Sequence, residues 1–237
     1  MPKTKSIDLK RDGMTDGFAE RFGREIPEGT MIFIEGKEGS GKSILTQRFV
    51  YSLLLNGYTC SYLSTQFTVK NFVRQMNSVG YDIKRDLLKG KLFFISTETV
   101  LGETYPKNTF LNKLYAAKKL FDPEIIVIDS ISTLLNESLD EKNCNDLINF
   151  LNRWMGTGKI IILTANPDEW DSKLHQKFKL ASDLHFDITI TTIPGVGISH
   201  QINIHKFTGA KYNYRNPTAF YVRPSVGMCI ESTHVAF

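Results

Sequence analysis

Gly36-Lys37-Glu38-Gly39-Ser40-Gly41-Lys42-Ser43 is a complete GxxxxGK[ST] phosphate loop, and its flanks are what that motif needs. Met31-Ile32-Phe33-Ile34-Glu35 before it reads as a strand. Ile44 to Leu55 after it has helical spacing, with apolar residues at 45, 49, 50, 53 and 54. Gly36, Gly39 and Gly41 let the backbone curl with its N–H groups turned toward a phosphate, and the helix N-terminus adds partial positive charge. Lys42 brings an ammonium to the β- and γ-phosphates, and the Ser43 hydroxyl is a Mg²⁺ ligand. The stretch predicts binding of ATP or GTP. Its eight residues are the candidate nucleotide-binding set.

The 237 residues suit one domain with a sizeable core. Hydrophobic residues make up 41% and charged residues 23%, as in ordinary globular proteins. The apolar runs are strand-length, too short to span a bilayer. The start, Met-Pro-Lys-Thr-Lys-Ser, has no apolar secretory stretch. A net charge of +4 is too small to argue for nucleic acid by itself. Cys60, Cys144 and Cys229 fit no metal spacing and suit a reducing compartment. A cytoplasmic protein is expected.

Residues 1–13 read as a basic, flexible tail with Lys3, Lys5, Lys10 and Arg11 in solvent, and 14–237 as a single domain. Pro27 and Gly29 mark a turn into the first core strand. Further strands are expected at 59–63, 92–96, 125–128 and 159–164, and helices at 69–79, 108–121 and 144–155. Residues 183–192 and 199–205 alternate around Pro194-Gly195-Val196-Gly197 and read as a hairpin, with short strands at 218–222 and 228–231. This order implies an α/β fold. Its mostly parallel sheet has helices on both faces and closes in an antiparallel meander, with the phosphate loop at the carboxyl end of the sheet.

A phosphate loop needs a second acid for the magnesium shell. Ile125-Ile126-Val127-Ile128-Asp129 supplies it as a Walker B pattern. Asp129 is expected to hold Mg²⁺ through a water and to accept from Ser43. Neither an arginine-rich lid nor an Asn-Lys-x-Asp base-reading motif is present. The strands between the two Walker motifs point to the RecA-like group.

The resemblance then sharpens. Arg21-Phe22-Gly23 with Ile26-Pro27-Glu28-Gly29, then Ser64-Thr65-Gln66-Phe67-Thr68, Asp129-Ser130-Ile131-Ser132 and Ile204-His205-Lys206-Phe207-Thr208-Gly209 resemble four signature segments of KaiC-like RecA-family ATPases. The likeness runs from about residue 10 to 235. Within that group the chain resembles the single-domain accessory proteins of the archaeal flagellum, or archaellum. The resemblance implies a RecA-like P-loop fold, ATP with Mg²⁺ as ligands, and ring assembly with copies of itself, possibly hexameric. It also implies docking to a secretion-type motor ATPase and the cytoplasmic ring proteins of the archaellum, with peripheral membrane association.

Two departures from the family pattern bear on activity. Hydrolysing relatives carry a glutamate where this chain has Gln66, which can orient a water but cannot take its proton. Losing a positioned base costs about 10²–10⁴ in rate. The relatives also insert a basic pair into the next subunit's site. Lys206 keeps its first member, but Thr208 replaces the arginine, a group worth about 10³–10⁵. Tight ATP binding with weak or absent turnover is expected. The alternative is an active RecA- or KaiC-like ATPase acting on DNA or in signalling, with Gln66 serving as the glutamine of small GTPases does.

Asn166 ends the strand after Walker B and is either a γ-phosphate sensor or a turn former before Pro167. Asp168, Glu169 and Asp171 cluster in the same loop and read as a solvated loop, with a second metal site as the less favoured alternative. His200 and His205 lie on opposite faces of a strand. His175, His185 and His234 have no evident partners, so no zinc is assigned. Trp154 reads as helix packing. Trp170 in its polar loop suggests a partner contact. Lys211, Tyr212, Tyr214 and Arg215 suit a subunit-contacting arm better than a single-strand nucleic-acid site, and nucleic acid is not expected as a partner.

Overall fold

In a computed structural model of the chain, the structure describes residues 6–10, 17–97, 110–135, 140–193 and 197–231. The elements run β1 (Ser6–Asp8), α1 (Phe18–Arg21), β2 (Glu25–Pro27), β3 (Met31–Gly36), α2 (Lys42–Leu55), β4 (Cys60–Ser64), α3 (Val69–Ser78), α4 (Lys84–Leu88) and β5 (Leu92–Ser96). They continue with α5 (Phe110–Ala116), a 3₁₀ turn at Lys118–Phe121, β6 (Ile125–Asp129), α6 (Ile131–Leu135), α7 (Glu141–Met155) and β7 (Ile160–Ala165). A second 3₁₀ turn at Pro167–Glu169 leads to α8 (Ser172–Ala181), and β8 (Leu184–Ile193), β9 (Gly197–Phe207), β10 (Thr218–Arg223) and β11 (Gly227–Ile230) end the described chain.

Nine strands form one sheet in the order β11-β10-β9-β8-β3-β7-β6-β4-β5. From β8 to β5 all neighbours are parallel. From β8 to β11 they are antiparallel. The expected mostly parallel sheet with its closing meander is what the chain forms. The chain visits β4 and β5 before returning to β6, and β7 then slots between β3 and β6. This order brings the ends of β3, β7 and β6 side by side, and the site is built there.

The strands alternate between two cores, as period-two side chains must when both faces are covered. Ile32, Ile34, Ile125, Val127, Ile160 and Ile162 face one core with Leu45, Phe49 and Leu53 of α2 and Phe72 and Met76 of α3. Met31, Phe33, Ile126, Ile128, Ile161 and Leu163 face the other with Leu147 and Leu151 of α7 and Phe178 of α8. This explains why β3, β6 and β7 read as unbroken apolar runs.

The expected flexible tail does not extend over residues 6–10. Ser6–Asp8 pair antiparallel with Glu25–Pro27, and Leu9 N–H donates to Arg24 O at 2.7 Å. Ile7 and Leu9 join the first core. Three polar residues, Ser6, Asp8 and Lys10, alternating with two apolar ones hid a strand of period two. Lys10 lies 3.9 Å from Glu20, and the other basic residues of the expected tail, Lys3, Lys5 and Arg11, lie outside the described residues, as does His234. Residues 172–181, not expected to be regular, form α8. Asp171 caps it, accepting from Lys173 N–H at 2.9 Å, so that acid closes a helix end and is not a loop charge. The expected helix over 108–121 is, from 110 onward, one α-helical turn set followed by a 3₁₀ turn.

If residues 6–10 belong to the core, Ile7→Ala lowers the unfolding free energy by about 2–4 kcal/mol. Urea denaturation reads this directly. A frayed tail would leave the midpoint unchanged.

Candidate functional site

The loop expected to hold phosphate follows β3 and opens α2. Gly41, the residue before the helix, has φ 98°, a left-handed conformation that a side chain resists. A Cβ there would meet Phe220 Cζ at 2.8 Å. At Gly36 a Cβ would approach Ile188 O to 2.6 Å. The curl therefore depends on these two glycines. Lys42 Nζ donates to Gly36 O at 2.6 Å and Lys37 O at 2.8 Å, lying back along the loop. Ser40 Oγ is buried with no hydrogen-bond partner. A glycine-curled loop at a helix N-terminus, with a buried hydroxyl lacking a partner and a lysine resting on loop carbonyls among the described residues, fits a polyphosphate chain.

Asp129 ends β6 and is buried. Tyr62 Oη donates to its Oδ2 at 2.6 Å, and Thr164 Oγ1 to its Oδ1 at 2.6 Å. The expected donation from Ser43 is not among its hydrogen bonds in the described residues. Two neighbouring strands satisfy it instead, because β4 and β7 flank β6. Each carboxylate oxygen keeps one lone pair for metal-bound water. Burial, and after it the charge of the Asp129 carboxylate that accepts its hydrogen bond, push the Tyr62 phenol well above its ordinary value. The Asp129–Ser130 peptide is cis.

A hydroxyl network joins β6 to the turn after β7. Ser130 and Ser132 Oγ are 2.7 Å apart. Ser132 Oγ donates to Glu169 Oε2 at 2.7 Å, as does Thr133 Oγ1 at 3.1 Å. Asn166 N–H donates to Ser132 Oγ at 2.9 Å, while its side chain accepts from Asp168 N–H at 3.2 Å and donates to Glu169 Oε1 at 3.4 Å. Asn166 thus sits between loop and Asp129, but its amide is committed to the turn. Lys37 Nζ lies 3.1 Å from Asp168 Oδ2, an exposed pair tying the turn to the loop. Burial lowers the Lys42 ammonium, and Asp129, Glu169 and Glu38, in that order, oppose the shift.

Gln66 is exposed. Its N–H donates to Ser64 Oγ at 3.2 Å, and it lines a shallow groove with Asn71, Arg74 and Gln75 of α3. Lys206, on β9, donates through Nζ to Leu180 O at 3.0 Å and, more tightly, to Ser182 O. The arm after it folds onto its own domain: Lys211 reaches Glu25 at 3.2 Å and Ser6 at 2.7 Å, and Tyr214 packs on Phe207. Trp170 is half-buried and packs against Phe178 and Phe33 at the edge of the second core. Trp154 stacks on Phe121, as helix packing.

His175 and His185 do have a partner. The residue before the loop, Glu35, is buried. His185 Nε2 lies 2.7 Å from its Oε1, His175 Nε2 2.6 Å from its Oε2, and Lys179 Nζ 2.8 Å from Oε1. Burial by itself would raise this carboxyl. The donors outweigh burial and hold it well below the ordinary carboxylate range. With the Lys179 ammonium already on the carboxylate, the set is an ion cluster; no metal-holding group occurs among the described residues. Glu35, Tyr62 and Thr164 escaped the sequence reading because their partners are placed by strand order and by α8, and Glu169 was seen only as one acid of a loop cluster. The one local signal was an acid at the end of a buried strand.

The model of the KaiC ATPase family matches residues 12–208. The chain belongs to the KaiC ATPase family. It is 34% identical over 230 residues to the archaeal flagellar ATP-binding protein FlaH of Methanocaldococcus jannaschii, covering 97% of each chain. It is 35% identical to FlaH of Methanococcus voltae, covering 99% of this chain and all of that one. The crystal structure of the M. jannaschii flagellar accessory protein FlaH superposes with a TM-score of 0.90 at 32% identity, over 97% of this chain and 100% of that one. A KaiC-like protein of Pyrococcus horikoshii shares the fold with a TM-score of 0.72 at 18% identity. Within the KaiC family the chain is thus a FlaH-type member.

Glu35→Gln is expected to cost about 3 kcal/mol near neutral pH, because it leaves Lys179 against a buried neutral group. The folded carboxyl titrates below its ordinary value of 4.5. Its contribution is therefore complete above that value and is lost as pH falls toward the folded pKa. Denaturation curves of both proteins over that acid range are expected to converge.

Proposed function

We propose that this KaiC-family protein is the ATP-binding regulatory subunit of an archaeal flagellar motor, holding MgATP with little hydrolysis. The phosphate loop and Asp129 supply the binding half of a P-loop site. The observation that carries the weak-turnover reading is Gln66: the family's glutamate slot holds a neutral side chain, and that side chain is exposed beside α3. The names of its FlaH relatives, archaeal flagellar ATP-binding proteins, support the setting.

In this reading Lys42 and the loop amides bind the phosphates, and Ser43 and Asp129 hold Mg²⁺, Asp129 through water. The metal neutralises phosphate charge when bound. Copies of the chain assemble into a ring, possibly hexameric, which docks to the motor ATPase and the cytoplasmic ring proteins. Nucleotide controls assembly to the extent that the assembled state binds it more tightly. No helix of the described residues is long and apolar enough to cross a membrane, and attachment to the membrane motor is through those partners. Lys206 contributes to a neighbour's site only after releasing the carbonyls at the end of α8.

Calorimetry with MgATP, paired with phosphate release on the same sample, tests this reading. Expected are binding on the micromolar scale and negligible release, unchanged by single-stranded DNA; brisk release would defeat it, and DNA-stimulated release would favour an enzyme acting on DNA. Gln66→Glu is expected to leave affinity unchanged and to raise release at least about tenfold.

A further inference from the structure

The turn after β7 carries a carboxylate that the family pattern does not assign. Because β7 lies between β3 and β6, the Pro167–Glu169 turn emerges between the phosphate loop and Asp129. The Lys37–Asp168 pair, 3.1 Å apart, binds the turn to the loop. Glu169 is also the second acid, after Asp129, whose charge acts on Lys42.

Its orientation is fixed from the Walker B side. Ser132 is fully buried, and its hydroxyl valence closes when it accepts from Asn166 N–H and Ser130 Oγ and donates to Glu169. Thr133 supplies a second donor to the same oxygen, Oε2. Among the described residues Oε1 receives only the long 3.4 Å contact from Asn166. A carboxylate offers about four lone-pair sites, so Oε1 retains acceptor capacity while Oε2 is filled.

The charge arrangement says what that oxygen would accept from. Lys42 brings one positive charge to a site that holds two carboxylates, Asp129 and Glu169. A triphosphate entering beside them meets repulsion unless a divalent cation lies between. Mg²⁺ keeps several of its waters and is bound by one or two carboxylates together with substrate phosphates. Asp129 is buried and already takes a hydroxyl on each oxygen; Glu169 is half-buried.

We propose that Glu169 is a second carboxylate of the metal–nucleotide site, accepting through Oε1 from water in the Mg²⁺ shell beside Asp129. The inference rests on the nucleotide-binding reading above. It gives Glu169 a signature that a purely structural acid lacks. Its charge opposes metal-free ATP and favours MgATP, so removing it moves the two affinities in different directions.

The experiment titrates ATP into the wild-type protein, Glu169→Gln and Glu169→Asp, once with excess Mg²⁺ and once with EDTA, with melting curves to establish folding. Wild type is expected to bind ATP more tightly with Mg²⁺. Glu169→Gln is expected to lose about tenfold of that enhancement, the usual effect of removing an outer-shell partner of a metal, with metal-free affinity held or raised. Glu169→Asp keeps the charge but withdraws it by one methylene. It is expected to lose enhancement while metal-free affinity stays at the wild-type value, and it carries the test if the glutamine variant does not fold. A full Mg²⁺ enhancement in either folded variant overturns the proposal. So does an equal loss with and without metal, which would mark Glu169 as a support of the turn. Wild-type protein that binds ATP in neither condition defeats the nucleotide reading itself, and this proposal with it.

Discussion

A buried carboxylate next to the phosphate loop sets the terms for the rest of the site. Glu35 ends the apolar run of β3 one residue before the loop begins. Ionised and unpaired in that place, it would cost several kcal/mol. The chain meets the cost with three nitrogens from elsewhere that lie against it: those of His175 and Lys179 from α8 and of His185 from β8. The consequence is mechanical as well as electrostatic. The root of the loop is tied to one helix and one strand that lie far along the sequence, so the loop cannot shift on β3 without disturbing α8. The aromatic cluster around Phe33 closes over the same cluster, with Trp170, His175 and Phe178 against it.

A second constraint is the placement of β7. A parallel strand inserted between the two Walker strands puts its own exit turn into the gap where the γ-phosphate belongs. The chain fills that turn with hydrogen-bonding groups that reach back to β6: Asn166, Glu169 and the serines after Asp129. Lys42 therefore looks onto acids from two strands, and its ammonium is drawn down by burial and held up by those acids. A partly desolvated site with more acids than Lys42 balances disfavours an arriving polyphosphate without its metal. In the proposed reading, binding energy is concentrated in the MgATP complex.

The parts of this design that were legible in the sequence are those that local chemistry fixes. The phosphate loop is readable because its backbone needs glycines at set positions, and Gly36 and Gly41 prove to have no room for a Cβ. β6 and β7 are readable because strands buried on both faces cannot afford polar residues. The meander is readable because its strands alternate around turn residues. What stayed hidden depends on contacts distant in the chain. Ile7 and Leu9 look like accidents in a basic start until β2 pairs with them. His175 and His185 look isolated until strand order places Glu35 between them. Glu169 reads as a loop acid until the turn is folded against Ser132 and Thr133. In each case the residue type was visible, but its partner lay on an element whose position only the topology decides.

The last step concerns how occupancy at one site could be felt elsewhere. Lys206 is held by two carbonyls at the carboxyl end of α8, those of Leu180 and Ser182. The same helix grips Glu35 at the root of the loop through His175 and Lys179. One rigid element therefore touches both the phosphate loop and Lys206, the lysine that the proposed reading presents to a neighbour. Charge-assisted bonds of this sort contribute about 1.5–3 kcal/mol each, so Lys206 leaves α8 only for a contact worth more, such as a phosphate across a subunit boundary. Slow hydrolysis, as proposed above, suits that arrangement. In that reading a subunit that keeps its nucleotide keeps the loop, α8 and Lys206 in one register, and a neighbouring subunit would sense that register more than the rate of phosphate release.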